Sequence, residues 1–314
     1  MMLGKTAGGL FWMNRYLERS ENITRLIDAG FRIALTRSAS AKTEWESVVA
    51  TTGAQAAFEE RHDEYTAQAV LDFLLRDKAN PSSVMSSIEA ARNNARLVRT
   101  ALTREVWEAT NECWMTLKTL LQRPLRERDL PNVMGVIRQQ SALVRGAMHG
   151  TMLRNDIYDF ARIGNFIERA DNTARILDVK YYVLLPSVAH VGSALDNVQW
   201  ETILRSVSAH RSYRWLNGGD VNPVDIADFL ILDRRMPRSL AFCVSKIADN
   251  LNYLADDYGC RHPCHELIDS MDTRLRENSI GSILESGLHE FLIDFIRDNA
   301  ALGSQIEWDY RFNG

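Results

Sequence analysis

Apolar residues recur every three to four positions along most of this chain and nowhere alternate over the length of a strand, so the pattern predicts helices throughout. In the segment from Arg15 to Asp28, Leu17, Ile23, Leu26 and Ile27 cover more of the helix circumference than one core-facing stripe would. That predicts a helix packed on more than one side. Punctuation sets the other boundaries. Asn80-Pro81 opens a run to about Arg123, Leu130-Pro131 one to about Arg154, and Asn155 or Asp156 one to about Leu184, each with a capping residue or a proline in its first turn. Asn222-Pro223 and Met236-Pro237 read as later starts, Gly259 and Gly281 as stops. Leu185 to Val198, with Pro186 and Gly192, reads as a loop too poor in Pro, Gly and Ser to be an interdomain linker. The expectation is an all-α protein, a single large helical bundle over residues 1–314.

An internal repeat refines this. Residues 15–28, RYLERSENITRLID, align without a gap to 165–178, NFIERADNTARILD, with Glu18/Glu168, Arg19/Arg169, Asn22/Asn172, Arg25/Arg175 and Asp28/Asp178 identical. A weaker copy at 88–99 keeps Glu89, Asn93 and Arg96. Repeats persist when each copy makes a similar contact, so the two motif helices, near 10–35 and 156–184, are expected to pack together about a pseudo-twofold relation. Glu, Asn and Arg at i, i+4 and i+7 fall within an arc of roughly 60° on one helix face. Such a stripe is either a set of buried interhelical ion pairs or a polar seam that binds a ligand. Glu21–Arg25 and Asp171–Arg175 are i,i+4 pairs in the favourable acid-first order and read as an exposed ladder. Glu18, Arg19, Asn22, Arg25, Glu168, Arg169, Asn172 and Arg175 are therefore the leading site candidates.

Composition narrows the chemistry. A formal net charge of -4 lacks the basic footprint that a phosphate backbone requires, which argues against nucleic acid. The longest uncharged stretch, Tyr181 to Leu195, is too short to span a bilayer as a helix, and the first residues do not read as a signal peptide, so the expected location is cytoplasmic, with no membrane partner. Cys113, Cys243, Cys260 and Cys264 read as thiols. Neither Cys260, His262, Cys264 and His265 nor Glu59 with His62 forms a recognised ligand set, and Gly4-Lys5-Thr6 lacks the strand and upstream glycine of a phosphate loop. No metal and no cofactor are expected.

The chain resembles the alpha-E family of helical bacterial proteins. The resemblance is carried by Thr6-Ala7-Gly8, Arg15-Tyr16-Leu17-Glu18-Arg19, Gly164 with Glu168-Arg169-Ala170-Asp171, Leu177-Asp178, Gln199-Trp200-Glu201, Asp228-Phe229-Leu230, Pro237-Arg238-Ser239 and Gly287-Leu288-His289-Glu290-Phe291. Asn165 departs from the pattern, standing where the first motif has Arg15. Arg15, Arg238 and His289 join Glu89, Asn93 and Arg96 as weaker candidates. The resemblance implies association with ATP-grasp ligase-type proteins, and with transglutaminase-like and amidotransferase-type proteins, in systems that form or process amide bonds. Three functions stay open. One is an accessory or substrate-presenting partner of an ATP-grasp amide ligase, an arginine holding a substrate carboxylate. Another is an enzyme using Glu18 and Glu168 as general acid and base. The last is a purely structural scaffold.

Overall fold

The computed structural model describes residues 2–36, 41–184, 194–218 and 221–312, and the described residues are helical, without a strand. The first half comprises α1 (Gly4–Thr36), α2 (Ala41–Thr51), α3 (Gln55–Glu59), α4 (Ala67–Leu75), α5 (Val84–Leu97), α6 (Arg104–Leu120) and α7 (Leu130–Thr151). The second comprises α8 (Asp156–Leu184), α9 (Ala194–Ser206), α10 (His210–Asn217), α11 (Pro223–Ile231), α12 (Leu240–Tyr258), α13 (Pro263–Glu277), α14 (Ile280–Ser286) and α15 (Leu288–Asp309).

Two apolar cores fill these halves. One gathers Met13, Leu17 and Ile27 of α1 with buried residues of α2 to α7, among them Phe58, Phe73 and Ile137. The other gathers Phe166, Ile167 and Leu177 of α8 with α9 to α15, and receives Leu10, Phe11 and Leu26 from the opposite side of α1. Helix α1 thus contributes to both, which is why its apolar residues encircle it. Among the described residues, α1 and α8 make the most extensive helix pairing. Gly164 permits it: a Cβ there would lie 2.2 Å from the Phe11 carbonyl oxygen, so only glycine lets the two backbones approach so closely. Contacts climb both helices together, from Phe11 beside Gly164 to Glu18 beside Arg169, so the pair runs parallel.

Short sequence matches outside the motif helices also fall in helices. Trp45-Glu46 lie in α2 and Trp200-Glu201 in α9; Asp72-Phe73-Leu74 lie in α4 and Asp228-Phe229-Leu230 in α11. The hydroxyls of Ser83 and Ser239 cap α5 and α12, each accepting from the N–H three residues on. Gly53 and Ser208, just after α2 and α9, both take the left-handed conformation, at φ 73° and 58°.

Some boundaries differ from the expectations. The run from Asn80 is broken between Leu97 and Arg104 because Thr103 accepts from the Val106 N–H and starts a new helix. Met236-Pro237 lies in the turn ahead of α12, which Ser239 starts. Gly259 does end α12, in the left-handed conformation, but Gly281 sits inside α14, and the preceding helix ends at Asn278. Of the expected loop at Leu185 to Val198, residues 194–198 belong to α9 and 185–193 lie outside the described residues. No helix among the described residues is long and apolar enough to cross a membrane.

Candidate functional site

The two Glu-Arg motifs face each other across the α1–α8 contact and exchange partners. Arg169 donates to Glu18 through Nε and Nη2, both at 2.9 Å, while Arg19 donates to Glu168 through Nε at 2.5 Å and Nη2 at 2.9 Å. Each is a two-pronged guanidinium–carboxylate pair, the strongest geometry available to these groups. The residue three before each glutamate completes its neighbour: Arg15 Nε donates to Glu168 at 3.1 Å, and Asn165 Nδ2 donates to Glu18 at 2.7 Å. Asn165 therefore fills the place of an arginine, and the missing charge is more than replaced. Arg238, from the turn before α12, reaches Glu18 at 3.0 Å and Glu21 at 2.7 Å, and Arg145 of α7 donates to Glu21 and, at 3.4 Å, to Glu18.

The remaining motif positions bind backbone. Asn22 Nδ2 donates to the Glu168 carbonyl, and its Oδ1 accepts from Arg238. Arg25 Nη1 donates to the carbonyl of Ser206, the last residue of α9, and to the Ser208 hydroxyl. Arg175 Nη1 donates to the carbonyl of Thr51, the last residue of α2. Each motif arginine thus caps the C-terminus of a helix that follows the opposite motif, where unpaired carbonyls and the helix dipole favour a cation. Asn172 is buried, and its Oδ1 has no partner among the described residues.

Electrostatics makes the pairs permanent. Glu18 is 0% exposed, and burial alone would raise its carboxyl; the charges of Arg169 and Arg238, the Arg169 hydrogen bonds and Arg145 outweigh this and hold it well below the ordinary carboxylate range. Glu168 follows the same balance, burial opposed by Arg19 and Arg15, and is also lowered. Neither carboxylate can exchange a proton near neutral pH, and guanidinium and amide donors crowd their oxygens, so neither fits a general acid or base. Burial and the neighbouring Arg25 push Arg238 down as well, to about 9, against the pull of Glu18; for a guanidinium that shift disfavours the charged form.

Two sequence expectations are corrected. Glu21 is not in an exposed ladder: it is 1% exposed and pairs with Arg25, Arg145 and Arg238, because the face of α1 that carries it turns toward α7 and α12. Asp171 with Arg175 is the partly exposed ladder pair. The third copy does not join the seam. Asn93 and Arg96 are exposed on α5 and Glu89 pairs with Lys78 at 3.4 Å, since the apolar Ile88, Ala91 and Ala95 turn that helix's polar face outward. Sequence reasoning missed Arg145. Its signal was a cation on the same face of α7 as Ser141, Val144 and Met148, all three buried.

His289 lies apart from the seam. Its Nδ1 is 2.6 Å from Asp178 Oδ1 on α8, and burial raises the Asp178 carboxyl even against the His289 hydrogen bond. Beside this pair opens a cleft of 550 Å³ between α2, α8 and α15, lined among others by Glu46, Thr51, Arg175, Asp178 and Ile293. That volume suits a small ligand. The Cys260–His265 cluster caps α13: the His262 N–H donates to His265 Nδ1 at 2.9 Å.

Residues 2–310 match the Alpha-E family, described as a predicted alpha-helical domain with a conserved ER motif. Uncharacterised proteins of Mycobacterium bovis and Mycobacterium tuberculosis are 26% identical to the chain over 294 residues, 86% of its length. The chain spans 32% of the length of these curated relatives. No solved structure matches it. With the matched family covering nearly the whole chain, and with the Glu-Arg pairs of Glu18-Arg19 and Glu168-Arg169 locked together at its centre, the chain belongs to the Alpha-E family.

Proposed function

We propose that this chain is a cytoplasmic accessory protein that presents a small amine- or carboxylate-bearing substrate to an ATP-grasp amide-bond ligase, and that its Glu-Arg seam is the structural clamp holding the presenting cleft in shape. The observation that carries this reading is the saturation of Glu18: fully buried, ionised and crowded by Arg169, Arg238, Arg145 and Asn165, it is built to fasten helices rather than to move protons. That weighs against the seam as an amide-bond catalyst. The cleft at Arg175 and Asp178 is of a size for a ligand and is held to the clamp by α8. Support for a partnered role comes from the mycobacterial proteins, in which some two thirds of the polypeptide lies outside the matched region.

The test is a pull-down from the native host followed by reconstitution. Co-purification of an ATP-grasp protein, with ATP turnover that requires both components, supports the reading. Amide turnover by this chain alone, or full ligase activity without it, overturns it.

A further inference from the structure

Beside the clamp, between α7 and the first half of α8, lies a small niche whose charge is one-sided. Arg145, His149, Tyr158, Arg162 and Asn165 line it together with Asn14, and no carboxylate does. Arg162 is its most informative member. Its guanidinium lies over the rings of Phe166, at 4.3 Å, and Tyr158, at 5.7 Å, and its Nη1 donates to His149 Nε2 at 3.1 Å. Among the described residues no carboxylate pairs with it. A guanidinium can only donate, so His149 Nε2 is the unprotonated ring nitrogen, and its Nδ1–H donates to Tyr158 Oη at 2.9 Å. The Tyr158 hydroxyl is left to donate elsewhere.

The surrounding charge deepens the asymmetry. Arg154 lies 4.1 Å from the centre of the Tyr158 ring and, among the described residues, donates only to the backbone carbonyls of Met152 and His149. Arg145 comes from the seam, where the three carboxylates Glu18, Glu21 and Glu168 face the six arginines Arg15, Arg19, Arg25, Arg145, Arg169 and Arg238. Burial, followed by Arg162 and Arg154, lowers His149 below its ordinary range. Burial, with Arg169 and Arg154 nearby, lowers Arg162 as well. Both groups are crowded by cations; Asp159 is near enough to feel the charge of Arg162, but it does not line the niche and makes no ion pair with Arg162.

We propose that this niche binds an oxyanion, the carboxylate or phosphate end of a small ligand, anchored by Arg162 and Arg145 with the Tyr158 hydroxyl as a neutral donor. The whole niche encloses only about 10 Å³, the space of roughly one water. The niche therefore seats an oxygen of the head group and leaves the body of the ligand outside. Planar guanidinium donors suit either head group, and their weak hydration makes partial burial affordable. Binding here does not depend on a ligase partner, so this site and the presenting role fail separately.

Isothermal titration of the isolated chain at fixed ionic strength tests it, with inorganic phosphate, acetyl-alanyl-alanine and the C-terminal amide of that peptide as probes. The expected result is saturable one-site binding of phosphate, or of the free-acid peptide but not its amide; which of the two binds identifies the head group. Arg162→Gln should weaken it about tenfold or more, as loss of a charged hydrogen-bond donor does. Arg162→Lys should restore part of the loss, and Arg104→Gln, which breaks an exposed pair with Glu108, should change little. No saturable binding by the parent, or equal effects of Arg162→Gln and Arg104→Gln, overturns the proposal. A second readout needs no folded variant at position 162: the ring signals of His149, assigned with His149→Gln, should move during phosphate or peptide titration of the parent. Unmoved signals overturn it too.

Discussion

Neutralising Glu18 is the sharpest perturbation of the clamp. In Glu18→Gln one amide oxygen still accepts from Arg169, but the amide nitrogen must face a guanidinium, donor against donor. Arg238 keeps Glu21 at 2.7 Å, so the loss falls mainly on Arg169, whose other hydrogen bond, to the Pro237 carbonyl, is 3.5 Å long. Removing one partner of a buried pair costs about 3 to 5 kcal/mol, and the retained Arg238–Glu21 contact places this case near the lower figure, about 3 kcal/mol. An unfolding entropy of about 2.1 cal/mol/K per residue, taken over 314 residues, gives about 0.66 kcal/mol per degree. The melting temperature should fall by about 5 °C if the chain unfolds as one unit. Asp171→Asn is the control, because that partly exposed i,i+4 pair is worth only about 0.2 to 0.5 kcal/mol, under about 1 °C. Scanning calorimetry at pH 7 reads both. A Glu18→Gln protein melting within about 1 °C of the parent, or an Asp171→Asn protein losing as much, refutes the clamp.

Other parts of the structure make further predictions. Gly164→Ala should lower stability by about 1 to 3 kcal/mol or more, seen as a lower denaturation midpoint, because the new Cβ would meet the Phe11 carbonyl oxygen at 2.2 Å. Glu21→Gln should destabilise far more than Asp171→Asn in the same calorimetric series, since Glu21 is buried among three arginines. The folded-state carboxyls of Glu18 and Glu168 are lowered, so their stabilisation is present above the ordinary carboxylate range and is lost as pH falls through it; the melting temperature should drop in acid, less steeply in Glu18→Gln. Asp159 runs the opposite way. Burial, followed by Asp257 and Asp156, pushes its carboxyl up to about 7, so its stabilisation is full at low pH and is lost as pH rises to that value. Asp159→Asn should accordingly melt above the parent at pH 8, with the difference gone near pH 4, and a constant difference would contradict this.

The all-helical architecture and the extent of the second motif helix were legible in the chain, because a period near 3.6 residues, proline at first turns and capping side chains are local properties that need no partner. The stripe of Glu, Asn and Arg was legible for the same reason. The partner of each member was not. Which face of a helix is buried depends on what packs against it: Glu21 and Asp171 hold the same place in their repeats, yet α7 and the turn before α12 cover the first with Arg145 and Arg238, while the second stays partly exposed. The third copy fails for the converse reason, since its Asn93 and Arg96 keep the motif spacing on a face left to solvent. The capping of α9 by Arg25 and of α2 by Arg175 spans 181 and 124 residues of sequence, a separation that no local pattern encodes. The sequence by itself determined the helical character of the chain, the extent of the second motif helix and the polar stripe on both motif helices, since these follow from the side chains of one short segment; the break before Arg104 and the place of Gly281 did not emerge from it. Only the tertiary structure decided that the stripe is a set of buried ion pairs, that Arg145 belongs to it, and that a niche lined by cations but by no carboxylate lies beside it, because burial and charge balance are sums over neighbours that folding alone brings together.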